Sequence, residues 1–136
     1  MVTVELPGNR EKIEEYPNDV SISHVTGEDV DEHYTVALPT DPTATLLPVI
    51  RAETEGDARL LADVWTVVGG FTVANVGDDG VPPEVAHEGS RVVVSYLLTQ
   101  QYDTEDLMEM FDIKRETVHS FTSRVRADAR EARESL

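Results

Sequence analysis

Asp103–Arg126 reads DTEDLMEMFDIKRETVHSFTSRVR. An acidic opening, an apolar step at Leu107, Met110 and Phe111, and a breaker-free run from Lys114 to Arg133 predict two helices joined by a tight turn. Leu107, Met110 and Phe111 are expected on the inner face of the first helix, and Val118, Phe121 and Val125 on that of the second, with Ile113 plugging the turn. Asp103 or Thr104 suits the N-cap of the first helix. Asp112 suits the turn, because short polar side chains tolerate the left-handed backbone conformation. Two helices so joined form the pattern of a helix-turn-helix reader of DNA.

The outer side of the second helix carries the chemistry. With Val118 turned inward, steps of about 100° per residue put Glu116, Ser120 and Ser123 on the far side, flanked by Thr117, His119 and Arg124. Short side chains let a helix approach the major groove, arginine donates two hydrogen bonds to guanine, and glutamate accepts one from the cytosine amino group. Arg126 and Arg130 lie further along, in reach of phosphates. The candidate DNA-binding residues are therefore Lys114, Arg115, Glu116, Thr117, His119, Ser120, Ser123, Arg124 and Arg126.

Upstream, Glu84–Gln101 reads as one long helix opened by Pro82-Pro83, with Val93, Val94, Leu97 and Leu98 on one face. Asp57–Val68 has apolar residues at 60, 61, 64, 65 and 68, the spacing of a buried helical face, and Gly69-Gly70 ends it. Trp65, the only tryptophan, reads as core rather than as a ligand platform. Phe71–Val76 reads as extended, and Gly77–Gly80 as a turn.

The first 52 residues are harder to read. Val2–Leu6 alternates like a short strand before Pro7-Gly8. Asn9–Pro17 reads as a charged helical turn stopped by proline. Val20–Val25 and His33–Leu38 are β-leaning, and a hairpin with a long acidic loop competes with a poorly ordered acidic arm. Pro39, Pro42 and Pro48 mark a linker. The expected fold is thus mainly α: a tri- or tetrahelical helix-turn-helix domain over residues 53–136, preceded by a small acidic part of short strands or an arm over residues 1–52.

Charge sharpens the functional reading. The chain has 11 Lys and Arg against 27 Asp and Glu, net −16. Only Lys12 and Lys114 are lysines. Such acidity predicts a halophilic protein of the haloarchaeal kind, because at about 1 M salt the Debye length is only about 3 Å and like charges hardly repel. An acidic interaction protein from an ordinary cell is the alternative. Residues 1–113 carry 5 basic and 23 acidic side chains, residues 114–136 carry 6 and 4. The basic residues thus concentrate where the recognition helix falls, as a polyanion partner requires.

The stretch RVVVSYLLTQQYDTEDLMEMFDIKRETVHSFTSRVR, Arg91–Arg126, resembles region 4 of the sigma-70 family and, more loosely, other tetrahelical helix-turn-helix domains. The resemblance covers about a quarter of the chain. It implies that the residues just after the turn read promoter bases, here Arg115, Glu116, His119 and Ser120. Glycine is common in that family where this chain has Asp112, and a capping Ser or Thr where it has Lys114.

Other chemistry is poorly represented. With no cysteine, disulfides and thiolate metal sites are excluded. There is no nucleophile elbow and no glycine-rich phosphate loop, so no enzyme and no cofactor are expected. His33 beside Asp31 and Glu32 reads as part of a solvated acidic loop rather than a cation site. The N-terminal residues lack the apolar run of a signal peptide and no segment is long enough to span a bilayer, which predicts a cytoplasmic protein. The expected function is a sequence-specific transcription regulator that binds double-stranded DNA as a homodimer, on half-sites about 34 Å apart. A protein–protein interaction adaptor using the same fold is the alternative.

Overall fold

A computed structural model describes residues 9–39, 49–70, 81–100 and 102–136. The strand expected at Val2–Leu6, most of the proline-marked linker, the extended segment at Phe71–Val76 and the turn at Gly77–Gly80 lie outside the described residues. The chain divides into two compact units, Met1–Ala58 and Arg59–Leu136.

The first unit corrects the expectation of a mainly α chain. It holds a four-stranded antiparallel sheet, β1 (Asn9–Glu15), β2 (Ser21–Gly27), β3 (Val30–Ala37) and β4 (Val49–Ala52), in that spatial order. With five helices among the described residues, the fold is mixed α/β. Asn9–Glu15, expected as a helical turn, is the outer strand. Its sequence NREKIEE is almost wholly exposed, and charges of both signs suit an edge that must not recruit another strand. A register shift between Lys12 and Glu14 adds a bulge there.

The hairpin at β2 and β3 forms, without the long acidic loop. Gly27 pairs with Val30, leaving Glu28-Asp29 as the two-residue connection. Asp31 and Glu32 therefore belong to β3. Between β1 and β2, Asp19 takes a left-handed φ of 66°, and the amide of Tyr16 donates to the carbonyl of Val20 at 2.8 Å. Residues paired across a sheet point to the same side. One face carries Ile22, Val36 and Ala52, all buried. The other carries Arg10, Lys12, Ser23, Val25, His33, Thr35 and Arg51.

Five helices follow the sheet: α1 (Glu55–Val68), α2 (Pro83–His87), α3 (Ser90–Leu98), α4 (Thr104–Phe111) and α5 (Arg115–Glu134). The Thr54 hydroxyl accepts the amide of Asp57 at 3.1 Å and so caps α1. Gly69, at φ 76°, ends it, and the amide of Gly70 returns to the carbonyl of Trp65 at 2.9 Å. Leu60, Leu61 and Val64 are buried as their spacing predicts, whereas Trp65 is half-buried.

The single helix expected over Glu84–Gln101 is two. Pro83 opens α2 as its first residue, but Gly89 then takes φ 100°, ψ −179°, which no helix admits, and α3 restarts at Ser90. The inward face of α3 is shifted accordingly. Val92, Val94, Tyr96 and Leu97 are buried, while Val93 and Leu98 are half-buried. In the second unit α3 packs along α5, and α4 touches both. Among the described residues no helix is long and apolar enough to cross a membrane.

Candidate nucleic-acid interface

Helix α4 begins with a reciprocal cap. The Asp103 carboxylate accepts the amide of Asp106 at 2.8 Å, and the Asp106 carboxylate accepts the amide of Asp103 at 3.1 Å. Two amides that a helix start leaves unpaired are thereby satisfied. The helix ends at Asp112, at φ 53°, ψ 52°, and the amide of Ile113 closes back on the carbonyl of Met108 at 3.0 Å. Asp112 thus adopts the left-handed conformation that short polar residues tolerate. Three residues, Asp112, Ile113 and Lys114, connect α4 to α5.

The packing under this turn is close to the spacing reading, with differences. Leu107, Val118 and Val125 are fully buried, joined by Thr122 and Ala129. Phe111, Ile113 and Phe121 are half-buried. Met110 is 54% exposed and does not belong to the inner face. A step of three residues sets Met110 about 60° around the helix from Leu107, the one fully buried residue of α4. Thr122, a polar residue on the inner face, satisfies its hydroxyl within the helix by donating to the carbonyl of His119 at 3.0 Å.

The candidate contact residues fall on the outside of α5. Lys114 is its N-cap, in extended conformation (φ −86°, ψ 161°), with no side-chain capping bond. Arg115, Glu116, His119, Ser120, Ser123, Arg124 and Arg126 are exposed, and Thr117 is half-buried. Glu116, Ser120 and Ser123 succeed one another at the four- and three-residue steps of a single helical stripe, and Ala127 and Arg130 continue it. The middle of the stripe is short-chained and its margins are basic.

Two arginines on that margin are held by carboxylates. Arg115 Nη2 donates to Glu105 Oε1 at 3.4 Å, with the two side chains 54% and 79% exposed. Arg124 Nε lies 3.6 Å from Asp128 Oδ1, and Arg91 Nη2 lies 3.4 Å from Asp128 Oδ2. Asp128 therefore joins an arginine of α3 to one of α5. The sequence reading did not assign Arg91 or Asp128 to this surface. Arg91 is one of only five basic residues before Lys114, and that scarcity was the available signal. Exposed pairs of this kind contribute little to stability, so they orient the guanidinium groups without committing them.

Arg133, at the far end of α5, is not a surface cation. It reaches Asp63 of α1 at 2.7 Å and donates to the Thr66 hydroxyl at 3.3 Å. The last turns of α5 are thus tied to α1 through Arg133.

No family model matches the chain, and no curated protein or solved structure is significantly similar to it. A functional reading therefore rests on the geometry of the two units.

Proposed function

We propose that the chain is a sequence-specific DNA-binding transcription regulator whose α5 enters the major groove through residues 114–126. One observation carries the reading. A three-residue turn held by Asp112 leads into a helix whose outward stripe is short and polar, Glu116, Ser120 and Ser123, and is bordered by Arg115, His119, Arg124 and Arg126. Small side chains permit close approach of the helix to base edges, and the bordering arginines supply bidentate and phosphate contacts. The similarity of Arg91–Arg126 to sigma-70 region 4 supports the same reading, and the left-handed Asp112 stands where that family often has glycine.

Such a reader spans few base pairs, so it acts as a homodimer on two half-sites. The acidity belongs to a cytoplasm of molar salt, where the negative field of the remaining chain is screened from the polyanion. Selection of specific sequences from a random duplex pool, in molar KCl, tests the proposal. An enriched motif supports it.

The alternative, an interaction adaptor, draws on a different observation. Glu105, Glu109, Asp112 and Glu116 are exposed around the turn, and two arginines of the face already have carboxylate partners. A pool without enrichment favours the adaptor.

A further inference from the structure

The first unit carries a site of its own, and the inference from it does not depend on the DNA reading. Only three Lys or Arg residues occur in residues 1–58, namely Arg10, Lys12 and Arg51. The register puts all three on one face of the sheet. Arg10, Val25 and His33 form one row across β1, β2 and β3, and Lys12, Ser23, Thr35 and Arg51 form the next row across all four strands. Carboxylates share that face with them: Lys12 lies 3.9 Å from Glu15, and Asp29 and Asp31 stand beside Arg10 and Arg51.

The face holds a concavity of about 410 Å³, lined by Arg10, Val25, Asp29, Val30, Asp31, His33 and Arg51. Arg10 and Arg51 come from opposite edges of the sheet. Strands lie about 4.8 Å apart, so their backbones are about 14 Å apart, and the two side chains flank the concavity from its two sides. Arg51 is oriented by Glu53, whose carboxylate accepts from Nε at 3.0 Å, and both side chains remain largely exposed. That bond leaves the two terminal nitrogens of Arg51 to receive an anion.

Asp29 lies in the β2–β3 connection, and Asp31 lies just inside β3. The ring of His33 is bonded through Nδ1 to the carbonyl of Asp31 at 2.8 Å. A carbonyl only accepts, so Nδ1 carries the proton and Nε2 of the neutral ring is an acceptor. The lining therefore combines two carboxylates and an imidazole nitrogen, all acceptors, with two guanidinium groups, Arg10 in the row of His33 and Arg51 one row further on at the far edge. Val25 and Val30 supply apolar wall.

A plain anion would be repelled by Asp29 and Asp31, and a plain cation by Arg10 and Arg51. We infer that this concavity binds a small zwitterion, a free amino acid with an aliphatic side chain, its carboxylate on Arg10 and Arg51 and its ammonium on Asp29, Asp31 and His33. The valines accommodate the side chain.

The test uses the full chain and the ring protons of its four histidines, assigned by single His→Gln variants. L-Leucine is titrated, alongside N-acetyl-L-leucine, which lacks the ammonium, L-leucinamide, which lacks the carboxylate, and inorganic phosphate. L-Leucine is expected to shift the His33 resonances saturably, and each blocked analogue to bind at least tenfold more weakly. Asp31→Asn and Arg51→Gln are each expected to weaken leucine at least tenfold with the backbone amide spectrum of the sheet retained. Asp31→Asn should not weaken N-acetyl-L-leucine, and Arg51→Gln should not weaken L-leucinamide, because each removes a charge that repels that analogue. If phosphate or N-acetyl-L-leucine binds as tightly as leucine, the site is a simple anion site and the inference is overturned. If none of the twenty free amino acids moves His33, or if only duplex DNA does, it is likewise overturned.

Discussion

Asp63 and Arg133 form a buried ion pair: Oδ1 of Asp63 and Nη1 of Arg133 are 2.7 Å apart, and the side chains are 9% and 14% exposed. The pair ties α1 to the last turns of α5. Burial nevertheless holds the Asp63 carboxyl above its ordinary pKa of 3.8, although Arg133 and the more distant charges of Arg126 and Arg59 pull it down. Loss of hydration outweighs the attraction, as it often does for ion pairs taken out of water.

The sign of the pH dependence follows. A carboxyl whose pKa is raised in the folded state binds more protons folded than unfolded at intermediate pH. Its contribution to stability is fully present below about pH 3.8 and is lost as pH rises through the raised value. Asp63→Asn mimics the protonated form and removes this dependence. We expect the stability of Asp63→Asn relative to wild type to improve as pH rises above 3.8 and to level off once the raised pKa is passed, read from urea midpoints at fixed KCl. A constant difference would mean that the carboxyl is not raised.

Removing the cation has the opposite consequence. Arg133→Leu leaves Asp63 buried without its partner, which is expected to cost about 3 kcal/mol at pH 7, near the lower end of the range for breaking a buried pair. The cost should shrink toward pH 4, where Asp63 takes up a proton and no charge remains to be paired. The same urea titrations measure it.

Val118 is fully buried between α5 and its neighbours. Val118→Asp places an unpaired carboxylate there, at a cost of several kcal/mol, comparable to the whole stability of a small domain. Loss of cooperative melting by circular dichroism is the expected result. Met110→Asp, on a side chain that is largely exposed, should melt within about 0.5 kcal/mol of wild type.

The contrast between Val118 and Met110 shows what was legible in the sequence. A 20-residue helix such as α5 repeats its period often enough that Val118 and Val125 declare themselves. An eight-residue helix turns little more than twice, and periodicity cannot separate Met110 from Leu107. The break at Gly89 was hidden because the helical spacing of Val93, Val94, Leu97 and Leu98 outweighed the β-branched run Val92–Val94, and a lone glycine inside a helical pattern is usually tolerated. The sheet was legible where β-branched and aromatic residues alternate, in β2 and β3. It was not legible at β1, whose composition NREKIEE has little β propensity and which is held as a strand by pairing with β2. The concavity of the sheet was invisible for a related reason. Arg10, His33 and Arg51 are brought together by register across four strands, and spacing along the chain carries no trace of register.

Salt provides the next expectation. The chain has 27 carboxylates and only 11 Lys and Arg. At about 0.01 M salt the Debye length is about 30 Å, so these charges repel across the molecule, and at about 1 M it falls to about 3 Å. The melting temperature is expected to rise steeply between 0.05 M and 3 M KCl. A flat profile would remove the halophilic reading and favour an acidic interaction protein.

The last prediction separates base reading from phosphate contact on α5. Arg115 stands at the first turn, beside Glu116, and among the described residues it makes an exposed pair with Glu105. A pair so exposed is easily exchanged for a guanine edge. On a sequence recovered by selection, Arg115→Ala is expected to cost about 1–3 kcal/mol and to relax preference at one base pair, as loss of a bidentate contact does. Glu105→Gln, which frees Arg115 without touching the stripe, should leave preference unchanged and tighten binding slightly. Arg124 lies about two turns later, shared with Asp128, which also holds Arg91. Arg124→Ala should weaken all sequences evenly and lower the slope of log affinity against log salt by about one unit, as loss of one phosphate contact does. Because the rest of the chain is strongly negative, nonspecific affinity should be weak throughout, and base contacts should carry an unusual share of the total. Fluorescence anisotropy of wild type and the three variants, on the selected site and on a scrambled duplex at several KCl concentrations, distinguishes these patterns. Arg115→Ala and Arg124→Ala both binding like wild type would transfer the face to a protein partner.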